Sequence, residues 1–189
     1  MSCLTICDMD SVQLTSILSS NPHTRKTFHG VFPSDMLPRG RLQQRPVSLV
    51  VNTHPHNLPG EHWLAIYLSD DKKGEFFDSY GHAPTHQQFP KTIMKFLRRN
   101  ASVTIFQPRQ LQAPESSVCG YHCVFFLHHR SKGLTFKQIQ EMYSRDLGRN
   151  DQMVEHFVKN KDVPRPALNM FQPAQGCVSC NVFHRGISQ

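Results

Sequence analysis

The sequence predicts an α+β fold, a mixed central sheet with flanking helices forming one domain over residues 1–189. Short apolar runs bounded by turn residues lie at 47–51, 62–68 and 75–80. Apolar residues at helical spacing precede and follow them. The resulting order, helix then strands then helices, is that of an α+β chain.

Along the chain, residues 9–19 place Val12, Leu14, Ile17 and Leu18 at helical intervals before Pro22. Residues 23–46, rich in Pro, Gly and Arg, read as an irregular connection. Val47–Val51 is β-branched and almost wholly apolar, as a buried strand is. His62 opens a second strand to Leu68, and the polar turn 69–74 leads to a third over 75–80, so the two should form an antiparallel hairpin. Ile93, Met94, Phe96 and Leu97 give residues 91–99 one helical face, and 102–107 suits another strand. Cys119 to Arg130 reads as an apolar helix. An amphipathic helix over about 135–158 follows, with Arg149-Asn150-Asp151 as its interruption. The tail from Asp162 holds Pro164, Pro166 and Pro173 and reads as an extended arm or a partly disordered segment.

A chain of 189 residues can bury a core without disulfides or metals. A mean hydropathy of −0.45 fits a globular chain. No apolar run approaches the roughly 18–20 residues of a membrane span, so no membrane partner is expected. The start, MSCLTICDMDSV, lacks a positive region followed by an apolar stretch, and export is not expected. The six cysteines, at 3, 7, 119, 123, 177 and 180, are then reduced thiols, and the Asn100-Ala101-Ser102 sequon has no use. A net charge of +7 fits either a polyanion-binding face or ordinary solvated surface, because the basic residues are scattered.

Residues 114–127, PESSVCGYHCVFFL, carry the most chemistry. A polar loop delivers Cys119 and Gly120 to the start of an apolar helix, where unpaired N–H groups and the helix dipole stabilise a thiolate. Gly120 lets backbone or substrate approach the sulfur. The same placement also fits a buried structural cysteine. Cys123, one turn on, is better placed to face the core. His62 and Asp78 sit at the ends of the hairpin strands, which can bring a base and its orienting carboxylate to one edge. Gln112, in the loop before Cys119, is either polar surface or an amide donor to a developing oxyanion. Cys177, Cys180 and His184 make a C-x2-C-x3-H cluster, but a fourth zinc ligand is not evident and no metal is expected.

The runs Gly60-Glu-His62-Trp63-Leu-Ala, Phe76-Phe77-Asp78-Ser-Tyr-Gly81 and Gln112-Ala-Pro-Glu-Ser-Ser-Val-Cys119-Gly120 resemble the adenovirus protease (adenain) family, within the wider SUMO-protease-like group of cysteine proteases. The segment FHGVFP and Val51-Asn52-Thr53 add to the likeness, which covers roughly residues 20–130. The resemblance implies an adenain-like cysteine endopeptidase fold, with the nucleophile at the N-terminus of a core helix. It implies Cys119 as nucleophile, His62 as base, Asp78 as orienting acid and Gln112 as oxyanion donor, with Trp63 and Gly120 lining a narrow substrate channel. It further implies virion precursor proteins cut at Gly-containing sites, no cofactor for the chemistry, a monomer, and a place in the host nucleus, virion or cytoplasm. Activation by non-specific DNA and by a peptide is implied too. Adenovirus enzymes carry Glu at the acid position, where Asp78 is closer to the SUMO-protease side. Residues 100–111 lack the cysteine to which the family's activating peptide is disulfide-linked, so any peptide activator should bind without a covalent link. The alternatives are a deconjugase for SUMO, ubiquitin or a related modifier, and a non-catalytic basic nucleic-acid-binding module.

Overall fold

The computed structural model describes residues 9–160. The proline-bearing tail and the Cys177, Cys180 and His184 cluster lie outside the described residues.

Helix α1 (Ser11–Ser20) starts at Asp10, whose carboxylate accepts from the Gln13 amide while the Gln13 side chain returns to the Asp10 amide. Five strands follow: β1 (Phe28–Pro33), β2 (Val47–Asn52), β3 (Trp63–Leu68), β4 (Lys73–Phe77) and β5 (Val103–Phe106). They form one mixed sheet in the order β1-β2-β3-β4-β5. The outer pairs β1/β2 and β4/β5 are parallel, and the inner pairs are antiparallel. Helix α2 (Lys91–Asn100) makes the crossover from β4 to β5. Helices α3 (Cys119–Ser131), α4 (Phe136–Glu141) and α5 (Leu147–Asn160) complete the described chain.

The sheet is covered on both faces, which is why β2 and β3 are apolar at almost every position. On one face Val50, Ala65, Tyr67 and Phe77 pack with α1, α3 and α5. On the other, Leu49, Val51, Leu64, Ile66 and Phe76 meet Ile93, Phe96 and Leu97 of α2. Alternation along each strand divides the two sets. Arg130 of α3 is tied to this core by Glu75 on β4, at 2.5 Å and 3.0 Å, and lies 4.4 Å over the Tyr67 ring.

Three expectations are corrected. Residues 23–46 are not wholly irregular, because FHGVFP forms edge strand β1. An edge strand needs only one hydrogen-bonded neighbour, so it tolerates Gly30 and Pro33, and its register shifts between Phe28 and Gly30. The helix expected over 135–158 is two, and the break falls before Leu147, not at 149–151. Asp146 Oδ1 accepts from the Arg149 amide, and Asn150 Oδ1 accepts from the Ser144 amide at 2.8 Å, so these residues start α5 and close the turn before it. Finally, β3 begins one residue after His62 and β4 ends one residue before Asp78. The hairpin itself forms as expected, with Ala65 opposite Phe77 and Leu68 opposite Gly74.

Candidate active site

His62 is delivered by the loop between β2 and β3. Asn52 ends β2, and its side-chain oxygen accepts from the His54 amide at 2.8 Å and the Glu61 amide at 3.3 Å. The Thr53 amide donates to the His62 carbonyl at 2.9 Å. These bonds hold both ends of a Pro- and Gly-containing loop that would otherwise leave the imidazole unpositioned.

Asp78 receives His62 where β4 ends. Nε2 of His62 lies 2.7 Å from Asp78 Oδ1. The Tyr80 amide donates to the same oxygen at 3.1 Å, and the His82 amide to Oδ2 at 2.9 Å. Burial would push this carboxyl upward, but the bond and charge of His62, with the two amides, outweigh it and hold Asp78 below the usual carboxylate range. Asp78 is therefore ionised at neutral pH. The Tyr80 ring packs 5.0 Å from the imidazole.

Gly81 brings the next loop in. Its φ of +80° suits glycine, and a Cβ there would stand 2.7 Å from the Arg109 carbonyl carbon. This close approach lets the Leu111 and Gln112 amides donate to the Ser79 carbonyl at 2.8 and 3.1 Å. The Gln112 side chain is fully buried, not polar surface. Its Oε1 accepts from the Ser79 hydroxyl at 2.7 Å, while Nε2 donates to the Ser116 carbonyl at 2.7 Å and to the Tyr80 hydroxyl at 3.3 Å. The amide thus faces the 113–118 loop that ends at Cys119.

Helix α3 begins on Cys119, with no side-chain cap at its N-terminus. That end of a helix favours a thiolate. Cys119 and Cys123 are both reduced and both buried, so burial does not choose between them. Position does. A Cβ on Gly120 would meet Met9 Cβ at 3.0 Å and Trp63 Cδ1 at 3.5 Å, so the residue after Cys119 rests against the residue after His62. Trp63 is fixed by its indole N–H, which donates to the Met9 carbonyl at 2.8 Å. The space over Gly120 is taken by Met9 and Trp63. Beyond Trp63 opens a groove of about 350 Å³ that includes Val31, Phe32, His54, Leu58 and Gly60 in its walls.

The sequence reading missed the support behind this arrangement. Asn150 donates to the Leu111 carbonyl at 3.0 Å, and Asp151 Oδ2 accepts from the Ala113 amide at 3.2 Å, so α5 clamps both sides of Gln112. Asp151 Oδ1 also lies 2.9 Å from His122 Nε2, a His–Asp pair separate from that of His62. Burial holds His122 below the usual imidazole range in spite of Asp151, and its side chain is 0% exposed against 12% for His62. Of these two imidazoles only that of His62 reaches solvent, so His122 serves the interior. Polar residues inside an amphipathic α5 pattern were the one available signal. Among the described residues no group of three or more His, Cys, Asp or Glu side chains is arranged to hold a metal. No helix among them is long and apolar enough to cross a membrane.

Comparison with known sequences gives a protease of bovine adenovirus 2, 32% identical over 124 residues, covering 59% of this chain and 56% of that protein. The protease of human adenovirus B serotype 3 is 31% identical over the same length, with the same coverage. The chain is similar to the adenovirus proteases. It spans about half the length of the curated relatives it matches. No family model matches. Among solved structures, the ASFV pS273R protease superposes with a TM-score of 0.42 at 21% identity, covering 60% of this chain and 44% of that one.

Proposed function

We propose that this chain is a cysteine endopeptidase of the adenain type that cleaves virion precursor proteins at Gly-containing sites. The observation that carries the reading is the 2.7 Å bond from His62 Nε2 to an ionised, buried Asp78. The placement of Cys119 at the start of α3, beside the Trp63–Gly120 contact, supports it.

With Nε2 donating to Asp78, Nδ1 of His62 is left as the acceptor and takes the Cys119 thiol proton. The thiolate attacks the scissile carbonyl carbon. The oxyanion that forms is held by the Cys119 amide and by Gln112 Nε2, whose two longer contacts, at 3.3 Å to the Tyr80 and Ser116 hydroxyls, are the ones to be redirected. His62 returns its proton to the leaving amine, and the C–N bond breaks. Water, deprotonated by His62, then releases the acyl group and restores the thiol. Asp78 stays ionised and stabilises the imidazolium. None of these steps needs a metal or organic cofactor.

We propose that the groove beside Trp63 receives an extended peptide and that the residues at its scissile bond are small. We further propose that DNA, attracted by the +7 charge, raises turnover in the host nucleus or the virion. A peptide activator would bind reversibly, because residues 100–111 offer no thiol. Asp, not Glu, at position 78 favours a second reading, removal of SUMO or ubiquitin-like modifiers.

Mass spectrometry after treatment with substrate-based thiol probes tests these readings. The expected result is a single adduct on Cys119, lost in Cys119→Ala and retained in Cys123→Ala, with faster labelling by a Gly-containing viral-type peptide than by a modifier C-terminus. The reverse preference favours the deconjugase. An adduct on Cys123 alone would overturn the assignment, and none at all would point to a non-catalytic basic module.

A further inference from the structure

Asp78 is bound by two histidines, one on each oxygen. Oδ1 meets His62 Nε2 at 2.7 Å, and Oδ2 meets His82 Nδ1 at 2.9 Å. The Tyr80 amide on Oδ1 and the His82 amide on Oδ2 complete four donors, which fill a carboxylate and stop its rotation. The Asp78 side chain is 0% exposed and that of His62 12%, whereas that of His82 is 37% exposed. His82 is thus the more exposed of the two histidines bound to a carboxylate that itself has no solvent contact.

We infer that His82 is a pH-responsive positioning residue that competes with His62 for the single negative charge of Asp78. This rests on the reading of His62 as the base. Imidazole is the side chain whose charge ordinarily changes near neutral pH. One carboxylate can fully compensate one imidazolium, so a proton on either ring disfavours a proton on the other, and the pair takes up protons in two macroscopic steps. The neutral His82 ring donates Nδ1–H to Oδ2 and leaves the charge to His62. The protonated ring draws that charge toward Oδ2 and loosens the hold of Asp78 on the His62 proton. Because the thiolate of Cys119 is stabilised by the His62 imidazolium, charging His82 shifts the pair back toward thiol and imidazole.

His82 faces Asp78, stacks on His86 at 4.2 Å, meets the Phe89 edge at 6.1 Å and has Tyr80 at 6.2 Å. His86 is titratable too, and a charge on it adds to the disfavour for a charge on His82. His62 faces Asp78 and Tyr80, and His122 of α3 feels the charge of both His62 and Asp78 from the interior.

The test reads the His62 ring directly. Histidine nitrogen NMR on Cys119→Ala protein, titrated over about pH 5 to 9, should show His62 protonating in two steps. With His82→Gln or His82→Phe added, His62 should protonate in one step. In the reciprocal His62→Gln protein, His82 should likewise titrate in one step. In the active enzyme, kcat/KM should fall about 10-fold through an acid-side step that His82→Gln lacks, each profile being read relative to its own alkaline plateau. Identical His62 titrations with and without His82 would overturn the inference, as would a His82→Gln profile parallel to wild type at every pH. The NMR measurement needs no catalysis, so a shared carboxylate and a failed peptidase assignment give separate results.

Discussion

Replacing Asp78 by Asn exchanges one carboxylate oxygen for an NH2 group and leaves the volume unchanged. Both oxygens face a backbone N–H, from Tyr80 on Oδ1 and from His82 on Oδ2. Neither amide can turn acceptor, so either orientation of the new side chain leaves one donor facing another. If the NH2 lies at the Oδ1 position, His62 must also present Nε2 as acceptor, which moves its proton to Nδ1 and removes the acceptor proposed to take the thiol proton. If it lies at Oδ2, His62 keeps its tautomer but loses the charge that stabilises its imidazolium.

An unsatisfied buried donor costs about 1–3 kcal/mol, which at the roughly 2–4 °C per kcal/mol of a chain this size corresponds to roughly 2–12 °C in Tm. The catalytic loss is larger, about 10²–10⁴ in kcat/KM, because both orientations impair the imidazolium. The pH dependence has a definite sign. Asp78 is held below its unfolded value, so its contribution to stability is full above about pH 4 and is lost as pH falls through the folded value. Thermal melts of wild type and Asp78→Asn should therefore converge as pH drops below about 4 and differ most near neutrality. Peptide turnover at neutral pH supplies the catalytic arm. Turnover within about 3-fold of wild type, with melts that stay parallel through the acid range, would refute the reasoning, since mutagenic losses of an orienting group are far larger.

Gly120→Ala should gain about 1 kcal/mol of helix propensity and lose a similar amount against Met9, leaving Tm nearly unchanged. Displacing Met9 moves the Trp63 indole bonded to its carbonyl, so kcat/KM should fall roughly 10-fold in a peptide assay; unchanged turnover would contradict the contact argument. Asn150→Ala removes the donor to Leu111 and the acceptor for Ser144, and denaturant unfolding should show a loss of about 2–3 kcal/mol, accompanied by lower turnover because Gln112 loses its clamp. Turnover should rise with duplex DNA at low salt and lose that gain steeply as salt increases; no binding in a low-salt fluorescence titration would remove the polyanion proposal. Activation by a peptide should persist under a thiol reductant, and its loss without damage to Cys119 would contradict reversible binding.

Local sequence determined the hairpin, the buried β2, the crossover helix and the polar loop ending at Cys119, because each depends on periodicity and turn chemistry within a few residues. It also made His62 and Asp78 possible partners, since a hairpin can return two strand ends to one edge, while the roles given to them came from the family resemblance. It misjudged β1, where composition pointed to a loop, because an edge strand is decided by its neighbour β2 and not by its own propensity. It misplaced the break between α4 and α5, because the Asn150 contact with Ser144 depends on how the chain folds back. The burial of Gln112, the Met9–Trp63–Gly120 contact, the α5 clamp and the two histidines on Asp78 were decided by tertiary structure alone. Each joins groups from separate segments, and a polar residue in a linear sequence carries no mark of whether its partner will be water or a buried amide brought to it by folding.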